Sequence, residues 1–219
     1  MRILCLTDIH GASTQPLITK LKNTDIDLVL ISGDITQKGA EKEALEVLEP
    51  FLKRPFPLFC VSGNMDYPGV DEVLVSKSIQ LHGKGVVFQE IGFFGCGGSN
   101  PTPFRTPHEL MEEQIAQTLE QAYGMIKNQP VKVLICHAPP YQSECDRIVT
   151  GAHCGSRSVR NFLENHDVDF CLCGHIHESF GQGYVGKTLC INPGAYNQGR
   201  WMLVENSGQN FELLKRSNL

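Results

Sequence analysis

Five short segments of the chain carry residues able to hold a metal ion or move a proton, and each follows an apolar run. They are Asp8-Ile9-His10-Gly11, Gly33-Asp34, Gly63-Asn64-Met65-Asp66, His137-Ala138-Pro139-Pro140 and Gly174-His175-Ile176-His177. Carboxylate, imidazole and amide oxygen together suit Mn, Fe, Zn or Co, whereas Mg is less suited to so many nitrogens. One segment alone carries little weight. Gly-Asp and Gly-Asn pairs are common, a lone histidine is more often a hydrogen-bonded interior residue, and Asp34 by itself reads as a helix N-cap. Five such segments in succession, four of them with an adjacent glycine, are poorly explained that way. No Ser/His/Asp or Cys/His arrangement competes, and the phosphate-loop pattern GxxxxGK[ST] is absent.

The runs that must position these groups lie at residues 3–7, 28–31, 58–61, 131–136 and 170–173. They are short and almost continuously apolar, as strands covered on both faces are. Helical candidates fall between them at 15–21, 41–51, 108–125 and 156–164, the second with charges opposite an apolar stripe and the last with Ser156 as N-cap. The first half therefore reads βαβαβ, and the pattern resumes near Val131. Residues 79–96 suggest short strands around Gly83-Lys84-Gly85 and Ile91-Gly92. From Gly183 onward, glycine-spaced strands are expected with no obvious helix. With no repeat or linker, the whole chain, 1–219, reads as one α/β domain with a mixed sheet or two sheets. In such folds chemistry gathers at the carboxyl ends of strands, which is where all five segments fall.

At 219 residues and 41% hydrophobic content, the chain can bury a sizeable core. No apolar run approaches the ~20 residues of a membrane span, and the N-terminal burst is broken at Asp8, unlike a signal peptide. A cytoplasmic protein without membrane association is expected. The net charge of −5, with scattered Lys and Arg, gives no electrostatic footprint for strong nucleic-acid binding. Of nine cysteines, Cys5, Cys60, Cys136, Cys171, Cys173 and Cys190 lie in strand-like runs, where free cysteine behaves as a small buried hydrophobe. No CxxC pair occurs, which argues against a zinc ribbon. Cys145 and Cys154 are expected in an exposed loop.

Taken in order, Asp8-x-His10, Gly33-Asp34, Gly63-Asn64, His137 and Gly174-His175-x-His177 resemble the calcineurin-like metallophosphoesterase superfamily, on its small bacterial and archaeal phosphodiesterase-like branch. Asn192-Pro193-Gly194-Ala195 is similar to its final NPGS-type turn, with Ala195 for serine. The resemblance implies an αββα sandwich of two mixed sheets flanked by helices. It also implies two divalent metal ions, with Mn favoured. One would be held by Asp8, His10 and His177, the other by Asn64, His137 and His175, with Asp34 bridging. All seven positions are filled. The implied activity is hydrolysis of a small phosphoester, most of all a phosphodiester, by metal-activated water. The rival reading is a protein-interaction scaffold, such as the retromer subunit of this fold. A repair nuclease fits a short acidic chain poorly.

One departure stands out. Many members carry Gly-Asn-His-Asp/Glu, where the histidine assists the leaving group; here that position is Met65, and a thioether donates no proton. Asp66 is retained and is a candidate catalytic residue. His153, in the loop Gly151–Arg157 between two ligand-bearing strands, is the candidate replacement for the missing histidine, against a plain surface role. Residues 95–101 read as an ordinary turn. His82, His108 and His166 have no ligand-like context and are expected at the surface.

Overall fold

The computed structural model describes residues 1–218. Strands β1 (Arg2–Leu6), β2 (Leu28–Ser32) and β3 (Leu58–Val61) run parallel, joined through helices α1 (Gln15–Lys20) and α2 (Glu41–Leu52). A third helix, α3 (Pro68–Ser76), follows β3 and was not expected from the sequence. Its signal is Pro68, pre-set for the first helical turn directly after extended Tyr67.

Strands β4 (Gly85–Phe88) and β5 (Ile91–Cys96) form a hairpin whose turn residues, Gln89 and Glu90, both take positive φ, as a two-residue hairpin loop demands. Helix α4 (Glu112–Gly124) begins later than the expected 108–125. The preceding backbone is engaged elsewhere: Ser99 N donates to His108 O at 3.2 Å and Leu110 N to Ser99 O at 2.8 Å. Next come β6 (Val131–Cys136), α5 (Arg157–Asn165) and β7 (Phe170–Leu172). The Ser156 hydroxyl caps α5 by accepting from Val159 N at 3.1 Å. The C-terminal part is β8 (Gly181–Val185), β9 (Thr188–Asn192), β10 (Arg200–Ser207) and β11 (Asn210–Asn218), with short 3₁₀ turns at His177–Ser179 and Tyr196–Gln198.

The strands make two mixed sheets, ordered β11-β10-β1-β2-β3 and β4-β5-β6-β7-β9-β8. Alternate residues explain the continuous apolar runs. Leu4, Leu6, Val29 and Ile31 pack toward α1–α3 with Leu17, Val47, Phe51 and Val70. Ile3, Cys5, Leu28 and Leu30 face the other sheet's Phe93, Val133, Ile135 and Leu172. On that sheet's outer side, Phe94, Leu134, Cys136 and Cys171 meet Ile115, Leu119, Val159 and Phe162 of α4 and α5. The result is an αββα sandwich of three apolar layers. Among the described residues no helix is long and apolar enough to cross a membrane.

Cys145 corrects one expectation: it is fully buried in the third layer, and Cys154 is only half-exposed. The loop turns inward because Asp146 gathers it, accepting from Gln142 N (3.0 Å), Ser143 N (2.9 Å) and Gly155 N (3.1 Å).

Candidate metal centre

The parallel strands of both sheets end at the same edge, and their exits are stitched together. Asp8 N donates to Gly33 O (3.0 Å), His10 N to Asp34 O (2.8 Å) and Gly174 N to His137 O (3.0 Å). Two bonds join the sheets here: His137 Nδ1 lies 2.7 Å from Ser32 O, and His175 N donates to Asp8 Oδ2 at 3.1 Å. Gly33 permits this approach. Its φ is +96°, and a Cβ there would lie 2.6 Å from His137 Nδ1 and 2.7 Å from Gly63 Cα. Asp8, His10, Asp34 and His175 also take positive φ, an unfavourable conformation for any side chain, and one that concentrates at functional sites.

The seven residues read from the sequence come together as two donor clusters. In the first, Asp8 Oδ1 lies 3.2 Å from His177 Nε2 and 3.9 Å from His10 Nε2, and the two imidazole nitrogens are 3.3 Å apart. In the second, Asn64 Oδ1 lies 2.8 Å from both His137 Nε2 and His175 Nδ1. Asp34 stands between them, with Oδ1 3.4 Å from His137 Nε2 and Oδ2 3.8 Å from His10 Nε2. Thr7 Oγ1 and Met65 N hold the two carboxylates, donating to Asp8 Oδ2 (2.9 Å) and Asp34 Oδ1 (2.8 Å).

This donor set fits divalent cations. Buried His10 Nδ1 has no hydrogen-bond partner, although such atoms are rarely left unpaired, and Asp8 Oδ1 meets only imidazole nitrogens, His177 Nε2 at 3.2 Å and His10 Nε2 at 3.9 Å. Asp8, His10 and His177 present ligand atoms within 4.8 Å of one another, as do Asp8, Asp34 and His137. Electrostatics agree. Burial works against ionised Asp8, yet His177, His137 and His10 outweigh it and hold its carboxyl well below the usual range. Burial also opposes protonation of His137, but Asp34 and Asp8 raise it to about 9. His175, buried and close to His137, falls to about 4.

The two candidate catalytic residues sit differently from expectation. Asp66 is buried, with both oxygens committed: it accepts from Ile35 N (3.1 Å), Thr36 N (2.8 Å), Thr36 Oγ1 (2.8 Å) and Gly63 N (2.8 Å). It ties the β2 exit to the β3 exit and offers no free edge to a substrate. His153 Nδ1 pairs with Asp146 Oδ1 at 2.6 Å, and among the described residues no hydrogen bond or ion pair links it to the seven.

Three other histidines, expected at the surface, are half-buried. His166 stacks on Phe162 with ring centroids 4.0 Å apart. His82 Nδ1 accepts from Gly97 N at 3.0 Å, and His108 Nδ1 lies 3.2 Å from Ser62 Oγ while its backbone N donates to Asn64 O at 3.0 Å. Burial pushes both of these imidazoles down. A fourth residue near the site, Arg200, was not singled out at all. Its Nη1 donates to His177 O at 2.9 Å.

Comparison with known proteins agrees with this geometry. Residues 1–179 match the family described as calcineurin-like phosphoesterase. An uncharacterised protein of Methanocaldococcus jannaschii is 37% identical over 197 residues, covering 88% of each chain. An uncharacterised metallophosphoesterase of Helicobacter pylori is 23% identical over 81% of this chain and 44% of its own length. Among solved structures, TT1561 of Thermus thermophilus superposes with a TM-score of 0.77 at 16% identity, over 99% of this chain and 98% of the other. A dimetal phosphatase of Danio rerio does so with a TM-score of 0.72 at 10% identity, over 100% and 96%.

Proposed function

This chain belongs to the calcineurin-like phosphoesterase family, and from that premise we propose that it hydrolyses a small phosphodiester at a centre of two divalent ions, with Mn favoured. The observation that carries this reading is the pair of donor clusters on either side of Asp34. Asp8, His10 and His177 would hold one ion and Asn64, His137 and His175 the other, with Asp34 shared. Two such ions supply Lewis acidity, activating water and polarising the phosphoryl group. The chain supplies rigidity and orientation. Thr7 and Met65 fix the carboxylates through the bonds described above, and Ser32 O fixes the His137 ring by its 2.7 Å contact. His177, with about a third of its side chain exposed, lies on the open side by which a substrate enters. With a thioether at position 65, no side chain of the Gly63–Asp66 segment donates a proton to the departing alcohol. That favours diesters with good leaving groups.

Metal counting on purified protein, combined with assays of bis(p-nitrophenyl) phosphate and p-nitrophenyl phosphate in Mn²⁺, tests the proposal. The wild type should hold two ions and cleave the diester better. His175→Ala and His177→Ala should each lose mainly one ion, a different one, and most of the activity. Both variants emptying the same site would refute the ligand assignment. A protein holding no ion after loading, and no activity, would leave the scaffold reading standing.

A further inference from the structure

Beside the donor clusters lies a cavity of about 310 Å³ lined by His177, Glu178, Gln198 and Arg200. His177 belongs to both, and the adjoining 3₁₀ turn rests on the β1 exit, with Tyr196 N donating to Thr7 O (3.0 Å) and Asn197 N to Asp8 O (3.4 Å).

Arg200 is fixed in this wall from two sides. Nη1 is bonded to His177 O, and the guanidinium carbon sits 3.9 Å from the centroid of the Phe180 ring. Gly194, at φ +80°, makes room for that stack. A Cβ there would lie 2.5 Å from Arg200 Cδ and 2.8 Å from Phe180 Cβ. The fork has five N–H donors, and the bond to His177 O uses only Nη1. Among the described residues no carboxylate lies within ion-pair distance of Arg200, whereas Arg2 and Arg160 both have acidic partners. A guanidinium held in place, short of an anion, and facing a cavity next to a phosphoester centre is pre-organised for bidentate capture of an oxyanion.

We propose that this cavity binds a second phosphate of the substrate, one that is not hydrolysed, and that Arg200 is its principal contact. The inference rests on the phosphoesterase reading above. The captured group is distinct from the reacting one because Arg200 grips His177 at its backbone carbonyl, while the imidazole Nε2 at the other end of the same residue faces Asp8. The length of a histidine residue separates the two anion positions. Substrates carrying two phosphates on one small scaffold therefore fit best. Glu178 is exposed on the same rim and opposes such a ligand by its charge.

The test compares thymidine 5′-(p-nitrophenyl phosphate) with its 3′-phosphorylated form; both release nitrophenol on cleavage. In the wild type, kcat/KM should favour the 3′-phosphorylated compound by about 10–100-fold, the span of a hydrogen-bonded charged contact. Arg200→Gln should bring that ratio close to one, Arg200→Lys should keep part of it, and Glu178→Gln should raise it. A purely structural Arg200 would lower both rates alike and leave the ratio intact, which would overturn the proposal. Calorimetry of the Mn²⁺-loaded protein with thymidine 3′,5′-bisphosphate and thymidine 5′-monophosphate gives a readout independent of turnover, with the same ratio expected. Equal handling of both compounds by the wild type in both assays, with nitrophenol released, sinks the subsite and keeps the phosphoesterase. Unequal binding with no release from either compound keeps the subsite and sinks the phosphodiesterase.

Discussion

Replacing Asp66 separates a brace from a catalyst. The carboxylate takes hydrogen bonds from Ile35 N, Thr36 N and Gly63 N, all buried, and from the Thr36 hydroxyl. Asp66→Ala strands three backbone donors; at about 1–3 kcal/mol for each, the loss starts near 3 kcal/mol and at its upper end is on the scale of a domain's whole stability. The Thr36 hydroxyl adds little, since it also donates to Gly39 O at 3.2 Å. Asp66→Asn is the sharper probe. Its amide oxygen can still serve two donors, so about one bond is lost, roughly 1–3 kcal/mol. Part of that returns, because burial and the charge of Asp34 push the Asp66 carboxyl up to about 6, and a neutral amide escapes both. For a chain of this size the melting temperature should drop by about 2–4 °C for each kcal/mol lost. Mn²⁺ affinity should fall alongside, because Asp66 holds the segment bearing Asn64 against the segment just beyond Asp34. Thermal melts of metal-free protein and Mn²⁺ titrations read both effects. An Asp66→Asn protein with unchanged melting and metal affinity but little turnover would refute the brace and restore Asp66 as an acid–base group.

Three further outcomes follow from the site. Metal binding needs neutral imidazoles, and His137 is held up at about 9 against its ordinary 6.5. Its stabilisation of the metal-free fold is complete below about 6.5 and is lost as pH rises through about 9. Mn²⁺ uptake at pH 7.5 should therefore release protons and tighten as pH rises, measurable by calorimetry in two buffers of different ionisation enthalpy; uptake without proton release contradicts this. At position 65, Met65→His should raise turnover on poor leaving groups by up to ~10²–10⁴-fold and change little on nitrophenyl esters. His153→Ala should leave the relative rates on good and poor leaving groups as they were, and a selective loss on poor ones would make His153 the donor.

What could be read from the chain divides along a physical line. Strands buried on both faces announce themselves as apolar runs, and a ligand one to three residues past each run is carried to the same edge by parallel pairing. Arg200 was invisible because its place depends on two left-handed glycines, Gly194 and Gly199, which fold the turn before β10 back onto His177. Asp66 misled for the opposite reason: it adjoins Asn64 in sequence, yet its carboxylate turns into the backbone behind the site. His108 looked like the start of a helix, but pairing with Ser99 claims its backbone, and Cys145 looked exposed until the Asp146 turn drew its loop inward. Each of these depends on contacts that the periodicity of the chain does not carry, some local, as in the Asp146 turn, and some between distant segments, as between Asp66 and Thr36.

The left-handed backbone at Asp8, His10, Asp34 and His175 sets the centre against the fold that carries it. At roughly 1–2 kcal/mol for each such side chain, the metal-free protein carries this strain, and glycine would relieve it most cleanly at His10, whose Nδ1 has no hydrogen-bond partner, at the loss of a ligand. Selection for heat resistance in the presence of a chelator would therefore drift toward inactive sequences. The same selection with Mn²⁺ supplied would run the other way, because an ion that binds only the folded state adds its binding free energy to stability. Whether this chain keeps its site over many generations then depends on how steadily its surroundings supply the metal.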